Sequence, residues 1–209
     1  MKYLVSNKCY IIALITMMSF SISTFAQEDK KELIYRVGVG PVIDGDIGMF
    51  GINIMNELTF RMTDRFSINP SLTYYSSLGY IESRQFFSEN PDFQDQSFSS
   101  SLFTDVRFQY DVIRTNKGFR LGLAAGPSFQ LGGHTYYSGA WVNDVIGSFN
   151  PSGYATERFK RLGYVTQVTF DWKTANPNRR NTIAVSMSSF DNYWPYYLMV
   201  NYRLGFKIR

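Results

Sequence analysis

From Tyr196 to Ile208 the chain counts in twos. The even positions are Tyr196, Leu198, Val200, Tyr202, Leu204, Phe206 and Ile208, and the odd ones are Tyr197, Met199, Asn201, Arg203, Gly205 and Lys207. Successive side chains of a strand point to opposite faces, so this stretch has one wholly apolar face and one mostly small or charged face. A helical period would mix the two sets. The pattern returns in 98–112, where Phe98, Leu102, Val106, Phe108, Tyr110 and Val112 oppose Ser99, Ser101, Asp105, Arg107, Gln109 and Asp111. It returns again in 119–131, where Phe119, Leu121, Leu123, Ala125, Pro127, Phe129 and Leu131 oppose Arg120, Gly122, Ala124, Gly126, Ser128 and Gln130.

Read this way throughout, the sequence predicts eight strands, at 33–43, 49–62, 66–81, 97–112, 119–132, 158–173, 181–190 and 196–208. No segment keeps apolar residues at i, i+3, i+4 and i+7 for three turns, so helices are not expected. The connections sort by length. Thr63-Asp64-Arg65, Arg114–Gly118 and Thr174–Arg180 are short turns, whereas 82–96 and 133–157 are long and fall on the opposite end.

The N-terminus points to export. Lys2 and Lys8 precede an apolar run from Ile11 to Phe20, and Thr24-Phe25-Ala26 is a pattern a signal peptidase accepts. Residues 1–26 are thus expected to be a cleaved signal peptide, followed by a short segment 27–32 and a domain spanning 33–209. Cys9, the single cysteine, lies within the signal, so disulfides, thiolate metal sites and cysteine nucleophiles are not expected in the mature chain. Without Lys2 and Lys8, 19 basic residues stand against 17 acidic ones, with no basic block to suggest nucleic acid.

Exported chains that alternate along eight strands can be secreted sandwiches or membrane barrels. Bacterial outer-membrane barrels have an even number of strands, short periplasmic turns and longer outer loops. With both termini periplasmic, the predicted strands put the long loops 82–96 and 133–157 outside. Aromatic residues also gather at both strand ends. Tyr35, Phe60, Phe66, Phe108, Tyr110, Phe119, Phe170, Trp172 and Phe206 mark one end, and Phe50, Tyr80, Phe98, Phe129, Phe190, Trp194 and Tyr196 the other. Girdles of this kind flank the apolar band of a membrane barrel. The alternative, a core of aromatics between two sheets, would have to leave the charges of the polar faces in water. The expected fold is an all-β, eight-stranded, antiparallel up-and-down transmembrane β-barrel.

The signal followed by Gln27, the eight amphipathic strands and the Gly-rich first strand "YRVGVGPVI" resemble small outer-membrane β-barrels of the OmpX and OmpA-transmembrane type. They are similar in particular to the porin-like outer membrane protein beta-barrel domain of Gram-negative bacteria. The resemblance covers nearly all of 30–209 and is a pattern rather than a signature. It implies outer-membrane lipid and lipopolysaccharide as surroundings and the barrel-assembly machinery as a partner during insertion, with a monomer expected. The end of the chain, Phe206-Lys207-Ile208-Arg209, departs from the family's usual terminal aromatic. "YRVGVGPVI" and "FRLGLAAGPSF" (119–129) also resemble each other, as an old four-plus-four duplication would leave them.

Inward parity defines the first candidate site. It collects Arg36, Glu57, Arg61, Asp105, Arg107, Asp111, Arg120, Arg161, Asp171 and Arg203. Isolated charges in a filled interior are expensive, so a paired network is expected, with Glu57 between Arg36 and Arg203 and Asp105 serving Arg107 or Arg120. Such a network would plug the barrel, and eight strands leave room only for side chains. The second candidate is the long loop, where Tyr136, Tyr137, Trp141, Phe149 and Tyr154 stand among Ser, Gly and Asn, a mixture typical of adaptable recognition surfaces. Its alternative role is to lie on lipopolysaccharide or over the barrel mouth.

Catalytic and metal chemistry have thin support. The only histidine, His134, sits in Gly132-Gly133-His134-Thr135 at the start of the long loop, with Ser138, Asp144 and Glu157 in or beside it. A loop between glycines is a poor frame for a nucleophile and its base. Asp44-Gly45-Asp46 and the pair Asp92 and Asp95 lack calcium-loop spacing and suit turns. No cofactor is expected. The expected function is a non-enzymatic outer-membrane barrel whose surface loops bind a ligand or stabilise the membrane. The alternatives are a narrow conduit for a small apolar ligand, a lipid-acyl-modifying enzyme, and a secretion-machinery barrel.

Overall fold

The computed structural model describes residues 32–80, 97–137, 141–143, 148–150, 154–191 and 193–208. The signal peptide expected at 1–26, most of the segment 27–32 and the loop 82–96 lie outside these residues. Among the described residues the structure is built of strands: β1 Leu33–Asp44, β2 Met49–Arg61, β3 Phe66–Tyr80, β4 Phe98–Arg114, β5 Arg120–Tyr137, β6 Trp141–Asn143, β7 Ser148–Asn150, β8 Tyr154–Lys173, β9 Arg179–Phe190 and β10 Tyr193–Lys207. Eight of them close a barrel in the order β1-β10-β9-β8-β5-β4-β3-β2, every pair antiparallel, while β6 and β7 form a separate hairpin. Closure leaves no edge, the condition for strands to cross a membrane.

The alternation becomes an inside and an outside. Along β2 the burial alternates residue by residue, with Asn53, Met55, Glu57 and Thr59 inside and Ile52 and Ile54 out. The outer wall carries exposed Val39, Leu72, Leu123, Leu162, Val200 and Leu204, whereas the interior is rich in Arg, Asp, Ser, Thr and Gln. A water-soluble protein would be built the other way round. The molecule therefore has the wall of a membrane-spanning barrel, with an apolar band outside and a polar lumen.

The β2–β3, β4–β5 and β8–β9 turns share one end with both termini of the barrel, here called the turn end. They are shaped locally. Thr63 Oγ1 accepts from the Phe66 amide at 3.0 Å, the Gly118 amide donates to Thr115 O at 2.9 Å, and Asn176 Oδ1 accepts from the Asn178 amide at 2.9 Å. Gly118 has φ of 87°, which a side chain would strain. In two strands a glycine also meets a neighbouring backbone. A Cβ at Gly40 would overlap Val200 O, and one at Gly126 would overlap Val106 O. Pro41 and Pro127 follow them, and the β1–β10 and β4–β5 ladders both skip the Gly-Pro pair. A proline cannot donate to a ladder, and a glycine beside it lets the strand bend sharply.

Several sequence expectations need correction. The strand expected at 119–132 runs to Tyr137, and the one expected at 158–173 begins at Tyr154, so much of the loop expected at 133–157 is paired strand. Past Leu131 and Leu162 the extension needs no lipid-facing apolar row, and the alternation that marks a strand in sequence fades there. The β6–β7 hairpin carries more of that loop. Tyr196, expected on the outer face, is 4% exposed inside, because the register of β10 against β9 shifts between Tyr193 and Tyr197. Phe190, expected in the outer girdle, is buried as well.

Candidate functional site

The lumen has two zones. Toward the turn end, Glu57 of β2 is a hub for three arginines from three other strands. Its Oε1 takes Arg36 Nη1 at 3.1 Å, and its Oε2 takes Arg107 Nη2 and Arg203 Nη1, each at 2.8 Å. Arg36 and Glu57 are direct cross-strand partners, whereas Arg107 reaches from β4 across the interior. Gln167 Oε1 bridges the last two, accepting from Arg203 Nη2 at 2.6 Å and also from Arg107. All four charged groups are 3% exposed or less, so each depends on its partners to offset lost hydration.

A second carboxylate extends the network. Asp171 Oδ2 accepts from Arg36 Nη2 at 2.7 Å and from Thr182 Oγ1 at 3.1 Å, and Asp171 also pairs with Arg180. Thr59 Oγ1 takes a further bond from Arg36. Closer to the turns, Arg61 Nη1 donates to Asp111 Oδ2 at 2.9 Å, and Asp111 Oδ1 accepts from Gln109 Nε2 at 2.9 Å. Asn69 closes the chain by donating to Gln109 at 2.9 Å.

The sequence-predicted residues are not all placed as expected. Arg36 and Arg203 flank Glu57, and Arg107 joins them. Asp105 serves neither Arg107 nor Arg120. It accepts from Ser128 at 2.6 Å and Ser71 at 3.2 Å, the inward side chains directly beside it on the neighbouring strands. Short serines one stave away reach it without ordering a long side chain. Arg120 stands apart from the hub, and its ion pair among the described residues is with Glu32 Oε2 at 3.7 Å. Arg161 sits at the loop end, 2.9 Å from Asp191 and stacked over Phe159 and Tyr196. Arg180 and Gln167, outside the sequence-predicted set, belong to the network as well. Arg180 lay in an expected turn, yet its parity with Thr182, Ala184 and Ser186 marks it as inward once β9 begins at Arg179.

Toward the loop end the lumen turns apolar. Val42, Tyr75, Phe103, Phe190, Tyr196, Tyr197 and Met199 form one buried cluster. Phe103 and Tyr197 meet edge to face at 4.9 Å, and Tyr75 meets Tyr197 at 5.7 Å. Gln130 Nε2 donates to Tyr197 Oη at 2.8 Å, which ties the ring to the wall.

Beyond that cluster β5 and β8 continue past the last β8–β9 pair, with β4 still beside β5 as far as Thr135. Tyr136 Oη donates to Glu157 Oε1 at 3.1 Å, and Thr135 and Thr156 hydroxyls share a bond at 3.0 Å. Tyr137 pairs with Tyr154, and the β6–β7 hairpin pairs Trp141 with Asn150 and Val142 with Phe149. The side chains of Tyr137, Trp141 and Phe149 lie outside the described residues, as do Ser138 and Asp144. His134 is held in a strand, contrary to the loop expected. It is opposite Ser99 on one side and Glu157 on the other, in one inward row, and its ring lies 5.1 Å from that of Tyr136. Burial lowers its proton affinity, with Glu157 and Asp46 opposing the effect. Ser99 Oγ and His134 Nε2 have no hydrogen-bond partner among the described residues, and Ser99 is wholly buried. Asp44 accepts from the Asp46 amide at 3.3 Å, the turn role its spacing suggested.

No family model matches the chain, and no curated protein matches it. Solved structures do. Neisserial surface protein A (NspA) is similar with a TM-score of 0.54 at 9% identity, over 85% of this chain and 97% of that one. A major outer membrane protein from Thermus thermophilus gives 0.51 at 9% identity, over 84% and 99%. The N-terminal β-barrel domain of Pseudomonas aeruginosa OprF gives 0.50 at 10% identity, over 86% and 100%. The chain thus has the fold of the small, eight-stranded outer-membrane β-barrels.

Proposed function

We propose that this protein is a non-enzymatic, monomeric barrel of the bacterial outer membrane, closed to ions, that works through its loop end. The observation that carries this reading is the filled lumen. Guanidinium–carboxylate pairs occupy one half and packed aromatic rings the other, and the largest fully buried side chains include Arg107, Arg203, Tyr75, Tyr197 and Phe103. Eight strands leave little more room than side chains require. The turn end and both termini face the periplasm, and the β5–β8 extension with its hairpin faces outward, where Tyr136, Tyr137, Trp141, Phe149 and Tyr154 meet lipopolysaccharide or an extracellular ligand. Insertion runs through the barrel-assembly machinery. A narrow conduit or a secretion role has no comparable support.

Two measurements test this. Purified protein in planar bilayers should show no steady ohmic conductance, and open channels in the unsubstituted form would overturn the closed barrel. A protease added to intact cells should cut within 138–153 and spare 174–178. Cuts confined to 174–178 would reverse the orientation. One observation favours a second reading, hydrolysis of a lipid acyl ester, namely the row Ser99, His134 and Glu157 on adjacent strands. Labelling of Ser99 by a fluorophosphonate would support it, and an unlabelled Ser99 would count against it.

A further inference from the structure

The turn end of the lumen holds more positive charge than its carboxylates offset. Arg36, Arg61, Arg107, Arg120, Arg180 and Arg203 are all buried there, against Glu57, Asp105, Asp111 and Asp171. Asp105 spends both its oxygens on serines. Among the described residues Glu32, half-buried at the rim, is the remaining carboxylate near these arginines. It is spread over Arg61, Arg120 and Lys207 at 3.4, 3.7 and 3.8 Å, none of them a close charge-assisted bond.

The shortfall falls on Arg120. It is 7% exposed, and its Nε and Nη1 are buried without any hydrogen-bond partner among the described residues. Its charge, left largely unanswered inside the barrel, adds to the positive field of the space it borders. Arg120 lines a polar cavity of about 470 Å³ at the turn end. The other charged residues of that cavity are Arg65, Arg114, Lys173 and Asp64. Asp64 is 89% exposed and meets Arg114 at 3.3 Å, a solvated pair that leaves the cavity strongly positive. The floor is rigid. Gly118 closes the β4–β5 turn, a Cβ there would strike the Lys173 stem, and Arg180 Nη2 donates to Gly118 O at 2.9 Å.

We infer that this cavity binds an oxyanion, specifically a phosphate group. Four cationic side chains with one solvated carboxylate select negative charge, and guanidinium forks match phosphate oxygens. The phosphate comes either from soluble phosphate or from the headgroup of a lipid in the leaflet around the turn end. The site stands on the barrel alone, whichever side of the membrane the turns face.

The test uses the full barrel in a maltoside detergent, which carries no phosphate. Inorganic phosphate and, separately, a short-chain phosphatidic acid are titrated by calorimetry. Saturable binding is expected for at least one. Phosphate alone identifies a soluble ligand, and phosphatidic acid alone identifies a headgroup. Arg120→Gln and Lys173→Gln should each weaken binding about tenfold, the loss of one charge-assisted bond, while Arg158→Gln at the loop end leaves it unchanged. Lys173 is exposed, so its variant should fold even where Arg120→Gln does not, and heat-modified migration on gels checks both. Failure of both ligands to saturate the unsubstituted protein would overturn the site. So would an affinity that changes less than about twofold in Lys173→Gln.

Discussion

The two halves of the lumen fill the same cross-section by different chemistry. At the turn end Arg36, Arg107 and Arg203 converge on Glu57, and each bond has a direction. At the loop end Phe103, Phe190, Tyr196 and Tyr197 pack by shape. Packed rings tolerate exchange among apolar side chains of similar volume. A buried charge tolerates little, because removing one partner leaves the other unanswered in a low-dielectric interior. The charged half should therefore be the brittle one.

The strongest test is Glu57→Ala. Three arginines lose their shared acceptor, and unfolding in lipid vesicles by urea should show a loss of about 3–5 kcal/mol. A loss no larger than that of a conservative change among the rings would erase the contrast between the halves. Across the same wall lies the next largest effect. Leu123 faces outward and is half-exposed beside Tyr110 toward the turn end, and Leu123→Arg should cost up to about 2–4 kcal/mol, the figure reached at the midplane. Arginine is thus welcome on one side of a stave and excluded from the other, and refolding yields for Leu123→Arg and Leu204→Arg would measure that asymmetry.

Phe103→Leu in the aromatic half should cost about 1 kcal/mol, since the change nearly conserves volume. The smallest effect concerns the β5–β8 extension. His134 binds its proton more weakly when folded than its ordinary value of 6.5. Above that value both states are neutral and the residue is silent. As pH falls below it the unfolded form gains protons first, so the extension loses stability. Once the intrinsic slowing of exchange in acid is divided out, protection of amides 134–136 should fall below about pH 6 while that of β2 stays constant.

How much of this could be read beforehand follows from which forces act locally. The barrel was legible because lipid imposes an apolar side on every stave, and Leu198, Val200, Leu204 and Leu123 obey it one by one. Arg36 opposite Glu57 was legible too, since neighbours on adjacent strands follow from parity and order. Arg107 reaching Glu57 was not, because β4 and β2 are separated by β3 and the contact depends on the width of the interior. The β5–β8 extension was missed because outside the bilayer nothing demands alternation, as Gly132-Gly133-His134-Thr135 makes plain. Tyr196 was misplaced by a single register shift, which no local pattern announces.

The position of the Glu57 hub has a consequence for assembly. Arg203, Arg36 and Glu57 stand on β10, β1 and β2, so the network straddles the seam where the last strand meets the first. A slip of one residue along that seam would turn Arg203 outward and offer Leu204 to Glu57. A slip of two would carry the guanidinium about 7 Å along the strand, beyond the reach of the carboxylate. Only one register lets Arg203 reach Glu57, and that one contact of the hub needs the final strand in place. The same side chains that fill the barrel thus favour a single register at its seam.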